Sequence, residues 1–502
     1  MARAGHFDDR GGTASNGLTG TGAGFMDWSS HCKRTVTVAS YARSTNQPGK
    51  LLMKRRTLLA ATVAAPFVAV EGSLGQSSKI QVVWWHAMTG ANADEINRLA
   101  RAFNESQSEA EVQPIFKGGY ADTLTAAIAA WRADQAPHLV QIFEVGTGSM
   151  LAAGPATKQV WQLAKETGVD LDPAIYIPGV RGYYSLADGR LASRPFNSST
   201  AVMWYNKDAF GAAGLDPEKA PATWSELIAA AQAIKGKIGT PAMGAVKFPV
   251  TSSWMIWVQL EQYSAIHDLP YATKANGFEG LDAELKFNGP QQVKQWDRLL
   301  GMAKQGLYEY GGRDTVPDAL FYSGQAAIGF GSSAGRGDIV RNSKFKWTEA
   351  LLPIDPEVNA HPINSIIGGA SLWTMTTKQR TEAEYKAVAQ FLKFIATPEQ
   401  DAHFHQTTGY VPVTFAGYEK SKADGYYEKQ PGTDVPIKQL ARGTVTANSR
   451  GLRLGRLAEI RNILYEETEK ALQGQQSGKQ ALDNGVSRGD RVLREFQKSV
   501  GG

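Results

Sequence analysis

Residues 79–85, KIQVVWW, are rich in β-branched and aromatic side chains, the composition of a buried strand. Asn92-Ala93-Asp94-Glu95 then has the spacing of a helix N-cap with a carboxylate three residues on, and Ile96, Leu99 and Phe103 fall on one helical face. Glu111–Phe116 returns as a strand, Leu124, Ile128 and Trp131 mark a second amphipathic helix, and residues 138–145, HLVQIFEV, read as the next strand. Strands alternating with helices predict βαβ units and a parallel sheet, with ligands beyond the carboxyl ends of its strands. Tyr120 and Glu144 stand at those ends.

A second alternation starts after Pro195. Ala201–Tyr205 is strand-like, and Thr223-Trp224-Ser225-Glu226 is a capping box opening a helix through Ile234. Ala326–Phe330 and Ser371–Met375 read as strands, and Ala387–Ala396 as a helix stopped by Thr397-Pro398. Leu457–Leu472 and Lys479–Phe496 are helical with a Gly-containing break between them. A chain of 502 residues organised this way is read as two α/β lobes rather than one core.

The N-terminus has a different character. Residues 1–52 are rich in Gly, Ser, Thr and Ala without hydrophobic periodicity, the pattern of a disordered or mis-annotated extension. At Met53 a basic Lys54-Arg55-Arg56 is followed by an apolar stretch from Thr57 to Val70, so residues 53–75 are expected to be a signal peptide with Met53 as its start. Arg55-Arg56-Thr57-Leu58-Leu59 also resembles a twin-arginine signal, which leaves the general secretory and twin-arginine routes both open. Either route predicts a periplasmic protein.

The formal charge of +5 disappears when that segment is set aside. Nine of the 53 Lys/Arg and four of the 48 Asp/Glu lie in residues 1–78, leaving 44 of each sign. A neutral body carries no footprint for nucleic acid. The one cysteine, Cys32, lies in the same segment, so the body is expected to hold no disulfide, Cys nucleophile or Cys-ligated metal. No Walker loop, GxGxxG, HExxH or EF-hand pattern occurs, and no cofactor is expected. His403 and His405 are two residues apart and fall on different faces of a helix, a weak metal pattern.

Tyr205-Asn206-Lys207-Asp208, Gly214-Leu215-Asp216-Pro217, Thr223-Trp224, Phe391-Leu392-Lys393-Phe394 and Pro398-Glu399 resemble the large extracellular solute-binding proteins of ABC importers, the maltose-binding group. WWHAMTG from Trp84, KGGY ending at Tyr120, EVGT from Glu144, RPFNSST ending at Thr200, IIGGASLW from Ile366, TTGY ending at Tyr410 and GLRLG around Arg453 are similar to its glycerol-3-phosphate-binding branch. The resemblance runs from about Lys79 to the C-terminus. It implies a two-lobed periplasmic binding-protein fold, type II and maltose-binding-like, with a hinge between lobes drawn at 79–196 with 361–411 and at 197–360 with 412–502.

The same resemblance implies a monomeric receptor with no enzymatic activity. Its ligand would be sn-glycerol-3-phosphate, and glycerophosphodiesters such as glycerophosphocholine, passed to membrane permease subunits that work with a separate ATPase subunit. It further implies a ligand site of Tyr120, Glu144, Ser199, Ser332, Gly369, Tyr410 and Arg453, walled by Trp254 and Trp257. These types suit a phosphomonoester, which wants a fixed cation, hydroxyl donors and a backbone N–H. Each has a duller role alone: Arg453 as a salt-bridge residue, Gly369 as a turn, the serines as caps, the tryptophans as a core stripe. Residues 251–257, TSSWMIW, are less Gly-rich than the family pattern there.

Two alternatives stand beside this reading. A neutral di- or oligosaccharide receptor of the same fold would stack sugar on Trp254 and Trp257. A secreted serine hydrolase would use Ser333 of Gly331-Ser332-Ser333-Ala334-Gly335, a GxSxG match, with Asp355 and His361, or Asp401 with His403 or His405.

Overall fold

The computed structural model describes residues 79–500; the expected extension at 1–52 and signal peptide at 53–75 lie outside the described residues. Eleven strands among these residues form two sheets.

The first sheet is built from β1 (Ile80–His86), β2 (Ala110–Phe116), β3 (Leu139–Phe143), β4 (Thr157–Lys158), β5 (Arg194–Ser199) and β11 (Gly368–Met375). Its order is β2-β1-β3-β11-β4, with β5 also paired to β11. β1 runs parallel to β2 and β3, as the strand–helix alternation predicts. The expectation of a wholly parallel sheet is corrected by β11, which is antiparallel to β3, β4 and β5. Helix Glu382–Phe394 closes one side, and its Phe391 packs 5.5 Å from Trp84 of β1.

The second sheet holds β6 (Ala201–Asn206), β7 (Phe248–Ser252), β8 (Tyr308–Glu309), β9 (Ala326–Ser332) and β10 (Trp347–Ala350), in the order β10-β6-β9-β7-β8. It is mixed too: β6 is antiparallel to both neighbours, while β7 is parallel to β8 and β9. The capping box at Thr223 forms, with Glu226 N–H donating to the Thr223 hydroxyl at 3.2 Å and Thr223 N–H donating to the Glu226 carboxylate at 3.2 Å. Helix Leu457–Leu472 forms over its expected span and packs on Gly478–Val500.

One run of chain serves both sheets. β5 ends at Ser199 and β6 begins at Ala201, so only Thr200 separates a strand of one sheet from a strand of the other. All thirteen residues from Arg194 to Asn206 are buried, and the Thr200 hydroxyl pairs with Ser365 at 2.7 Å and donates to the Ile366 carbonyl at 3.1 Å, just before β11. These two bonds tie the crossing to the segment before β11 and so fix where the two halves meet.

The expected N-cap at Asn92 is also corrected. The first helix starts at Gly90. The Asn92 amide donates instead to the Ala334 carbonyl at 3.3 Å, and the Glu95 carboxylate takes Arg98 at 2.7 Å and His403 at 3.0 Å. The start of this helix reaches the segment after β9, where Ala91 N–H donates to Asp338 at 3.1 Å and Arg341 to Asp94 at 2.8 Å. Among the described residues no helix is long and apolar enough to cross a membrane.

Candidate functional site

Tyr120 is the first residue of helix Tyr120–Arg132 and lies flat on Phe143 at the end of β3, ring centres 5.2 Å apart and planes within 7°. Its hydroxyl accepts from the Asn197 side-chain amide at 3.0 Å and lies 3.5 Å from the hydroxyl of Tyr410. Tyr410 also touches Met88, its hydroxyl 3.4 Å from the sulfur. Burial, reinforced by the charge of Glu144, pushes both phenols above their ordinary range, so they stay protonated donors.

The backbone beside them has no spare room. Gly369 sits in β11 at φ +82°, and a Cβ there would lie 1.8 Å from the Asn197 carbonyl oxygen, so only glycine fits. The neighbouring Gly368 faces Ser199 in the β5–β11 register, and a Cβ on it would strike the Trp257 indole at 2.4 Å. Trp257 is buried with its indole N–H unbonded. Trp254, three residues earlier, holds a left-handed φ of 49° and stands 6.3 Å from Tyr120. A left-handed tryptophan costs of order 1 kcal/mol and is the kind of strain found at ligand contacts.

Ser332 ends β9 and pairs in register with Ala201, which places it beside the crossing that carries Ser199. Its hydroxyl accepts from Ala334 N–H at 3.2 Å. Glu144 follows Phe143 directly, buried in a short 3-10 turn whose first carbonyl accepts from the Tyr183 hydroxyl at 3.1 Å.

The structure thus brings eight of the nine expected residues into one neighbourhood. Arg453 is the exception. Its guanidinium donates to the carbonyls of Gly182, at 3.2 Å, and Tyr183, and lies 4.2 Å from the ring centre of Phe278. Burial lowers its pKa to about 10.

The arginine beside Glu144 is Arg461, which sequence reasoning missed. Its Nη2 donates to Glu144 Oε1 at 2.7 Å, and its Nε and Nη2 grip Glu261 at 2.7 and 2.6 Å. All three residues are buried. Burial pushes the Glu144 carboxyl up, against the pull of Arg461. Arg461 keeps its proton because Glu261 and Glu144 together outweigh its own desolvation. Helical spacing offered a signal: Arg461 lies four residues after Leu457 and three before Leu464, a charge on an apolar face.

The hydrolase nominees have other partners. Ser333 Oγ is buried and makes no hydrogen bond. Asp355 takes Arg298 at 2.5 Å, Asp401 caps Thr414 at 2.6–2.8 Å, and the imidazole of His405 bonds the Tyr410 carbonyl at 2.5 Å. No group of three His, Cys, Asp or Glu able to hold a metal occurs among the described residues.

Residues 98–429 match the family described as bacterial extracellular solute-binding protein. This chain is a member of that family. It is 41% identical over 447 residues to the sn-glycerol-3-phosphate-binding periplasmic protein UgpB of Pectobacterium atrosepticum, covering 89% of this chain and 98% of that protein. The protein of the same name from Rhizobium meliloti is 42% identical over 414 residues, 82% of this chain and 94% of the relative. Among solved structures, UgpB of Mycobacterium tuberculosis in complex with glycerophosphocholine superposes with a TM-score of 0.69 at 20% identity, covering 84% of this chain and 99% of that one. A cyclic α-maltosyl-1,6-maltose binding protein from Arthrobacter globiformis superposes with a TM-score of 0.62 at 22% identity, covering 83% and 100%. The two sheets and the crossing between them are therefore the maltose-binding-like, two-lobed fold that the motifs implied.

Proposed function

We propose that this chain is the periplasmic substrate-binding component of an ABC importer and that it binds sn-glycerol-3-phosphate. The names of the relatives support the ligand, and the arrangement of Glu144, Arg461, Tyr120 and Tyr410 carries the reading. Arg461 spends its Nε and Nη2 on the two glutamates, while its Nη1 makes no hydrogen bond among the described residues and supplies the fixed cation. Tyr120, Tyr410, Ser199, Ser332 and the Gly369 N–H are donors for phosphate oxygens. The glycerol end meets the Glu144 carboxylate and the planes of Trp254 and Trp257, and Glu144 repels a phosphate entering the wrong way round.

Arg461 takes the role that the resemblance implied for Arg453. Arg453 turns its Nη2 to the carbonyls of Gly182 and Tyr183 and stacks on Phe278, so it is directed away from the Glu144 cluster. A charge-assisted contact from Arg461 contributes about 1.5–3 kcal/mol, roughly ten- to hundredfold against an uncharged polyol.

In this reading the two lobes close on the ligand, which contacts both and so stabilises the closed state, and the boundary between them is drawn at Thr200, between β5 and β6, rather than at the expected 196/197. The closed form docks on permease subunits served by a separate ATPase, and the protein works as an exported monomer. Glycerophosphocholine, a diester that keeps one charge and the glycerol end, is a second ligand. Calorimetric titration with glycerol-3-phosphate, glycerophosphocholine and maltose tests the proposal. Binding of the phosphates without maltose supports it; binding of maltose alone overturns it in favour of a neutral sugar receptor.

A further inference from the structure

A cavity of about 1030 Å³ lies apart from the Glu144 cluster. Tyr183 stands between them: its hydroxyl donates to the carbonyls of Glu144 and Leu452, while Gly182 and Tyr183 also line the cavity. Val180, Phe278, Ile367, Val411, Phe415 and Leu440 give it a largely apolar wall. Phe415 and Val445 on its wall remain 51% and 55% exposed, so the cavity is open to solvent along an apolar edge.

The charge at one end of this cavity is unbalanced. Arg450, a lining residue, and Arg453 lie 4.1 and 4.2 Å from the ring centre of the same Phe278. Neither guanidinium is within salt-bridge distance of a carboxylate among the described residues, and Arg453 Nε is buried without a hydrogen-bond partner. Of the two acidic residues on the wall, Glu419 is held by Lys422 at 3.1–3.2 Å and Glu279 is exposed. Two like charges on one ring with no counter-ion favour an anion, and an apolar space of this size favours a hydrocarbon chain attached to it.

We propose that this cavity is a second binding site, for a single-chain anionic amphiphile whose headgroup meets Arg450 and Arg453 and whose tail runs along Phe278, Val411 and Leu440. None of the residues assigned above to the glycerol-3-phosphate site lines this cavity.

The probe is dodecyl phosphate, titrated by calorimetry below its micelle concentration into the full chain, beside dodecyl maltoside and inorganic phosphate. The expected result is one dodecyl phosphate per chain, at least tenfold tighter than either comparison compound. Arg450→Gln, an exposed position, weakens it at least fivefold. Ala441→Trp, which fills the exposed wall and leaves both arginines in place, abolishes it. Absence of binding, equal binding of dodecyl maltoside, equal binding of inorganic phosphate, or indifference to both variants would each overturn the proposal. Thermal melting of the two variants at the wild-type temperature establishes that the losses are not unfolding.

Discussion

Arg461 and Glu144 meet at 2.7 Å inside the protein, although 317 residues separate them in the chain. Glu261 completes the group, so one guanidinium compensates two buried carboxylates. Removing it leaves both acids without a cation, and breaking a buried pair in this way costs about 3–5 kcal/mol. Arg461→Ala is therefore expected to lower the urea midpoint at unchanged slope. A double variant, Arg461→Ala with Glu261→Gln, recovers part of the loss because one uncompensated acid is gone. Equal stability of the single variant and the wild type contradicts the account.

Gly369→Ala is expected to be among the most damaging single-methyl additions. The added carbon meets the Asn197 carbonyl at 1.8 Å across the β5–β11 pairing, at a positive φ that alanine resists. A cost of at least ~2 kcal/mol follows, with loss of ligand binding. Circular-dichroism melting reads the first and titration the second. Gly189→Ala, also at positive φ but with open space around it, costs only about 1 kcal/mol by the same melt.

Tyr120→Phe keeps the stack on Phe143 and removes the hydroxyl that accepts from Asn197. The expected outcome is a split: folding stability falls by about 0.5–1.5 kcal/mol, while affinity for glycerol-3-phosphate falls roughly tenfold because a phosphate donor is lost. Melting and calorimetry on one preparation separate the two effects.

Acid is expected to loosen the protein from the Tyr410 side. Burial depresses His405 from 6.5 to about 4, and its imidazole bonds the Tyr410 carbonyl and Tyr427. His86, also buried, is depressed to about 4 for the same reason. For a base whose folded pKa lies below its unfolded value, the stabilising contribution is complete above pH 6.5 and is lost as pH falls toward 4. Melting temperature should therefore decline across that window, and His405→Gln should shallow the decline. A flat profile between pH 6.5 and 4 in the wild type contradicts this.

Much of the architecture is legible in the sequence because hydrophobic period marks strands and helices. Ile80–His86, the Thr223 capping box and Leu457–Leu472 all lie where their patterns place them. Period carries no information on strand direction, which is why the antiparallel entry of β11 into the first sheet was not readable. Asn197-Ser198-Ser199-Thr200 looks like a polar loop, yet it is buried strand and crossing, made possible by partners far away in sequence such as Ser365. The site was legible through motifs wherever the motif residue itself turns toward the neighbours of Tyr120. Arg453 of the GLRLG motif turns to the Gly182 and Tyr183 carbonyls, and the motif meets the Glu144 turn through Leu452, which accepts from Tyr183, while the buried cation beside Glu144 is Arg461, one helix turn past Leu457.

The most direct test of the account is glycerol-3-phosphate titration of Arg461→Ala and Arg453→Ala side by side, each first shown by melting to be folded at the temperature used. Arg461→Ala is expected to lose at least tenfold in affinity and Arg453→Ala to change by less than threefold. The reverse order, or no binding of glycerol-3-phosphate to the wild-type protein, would contradict the account.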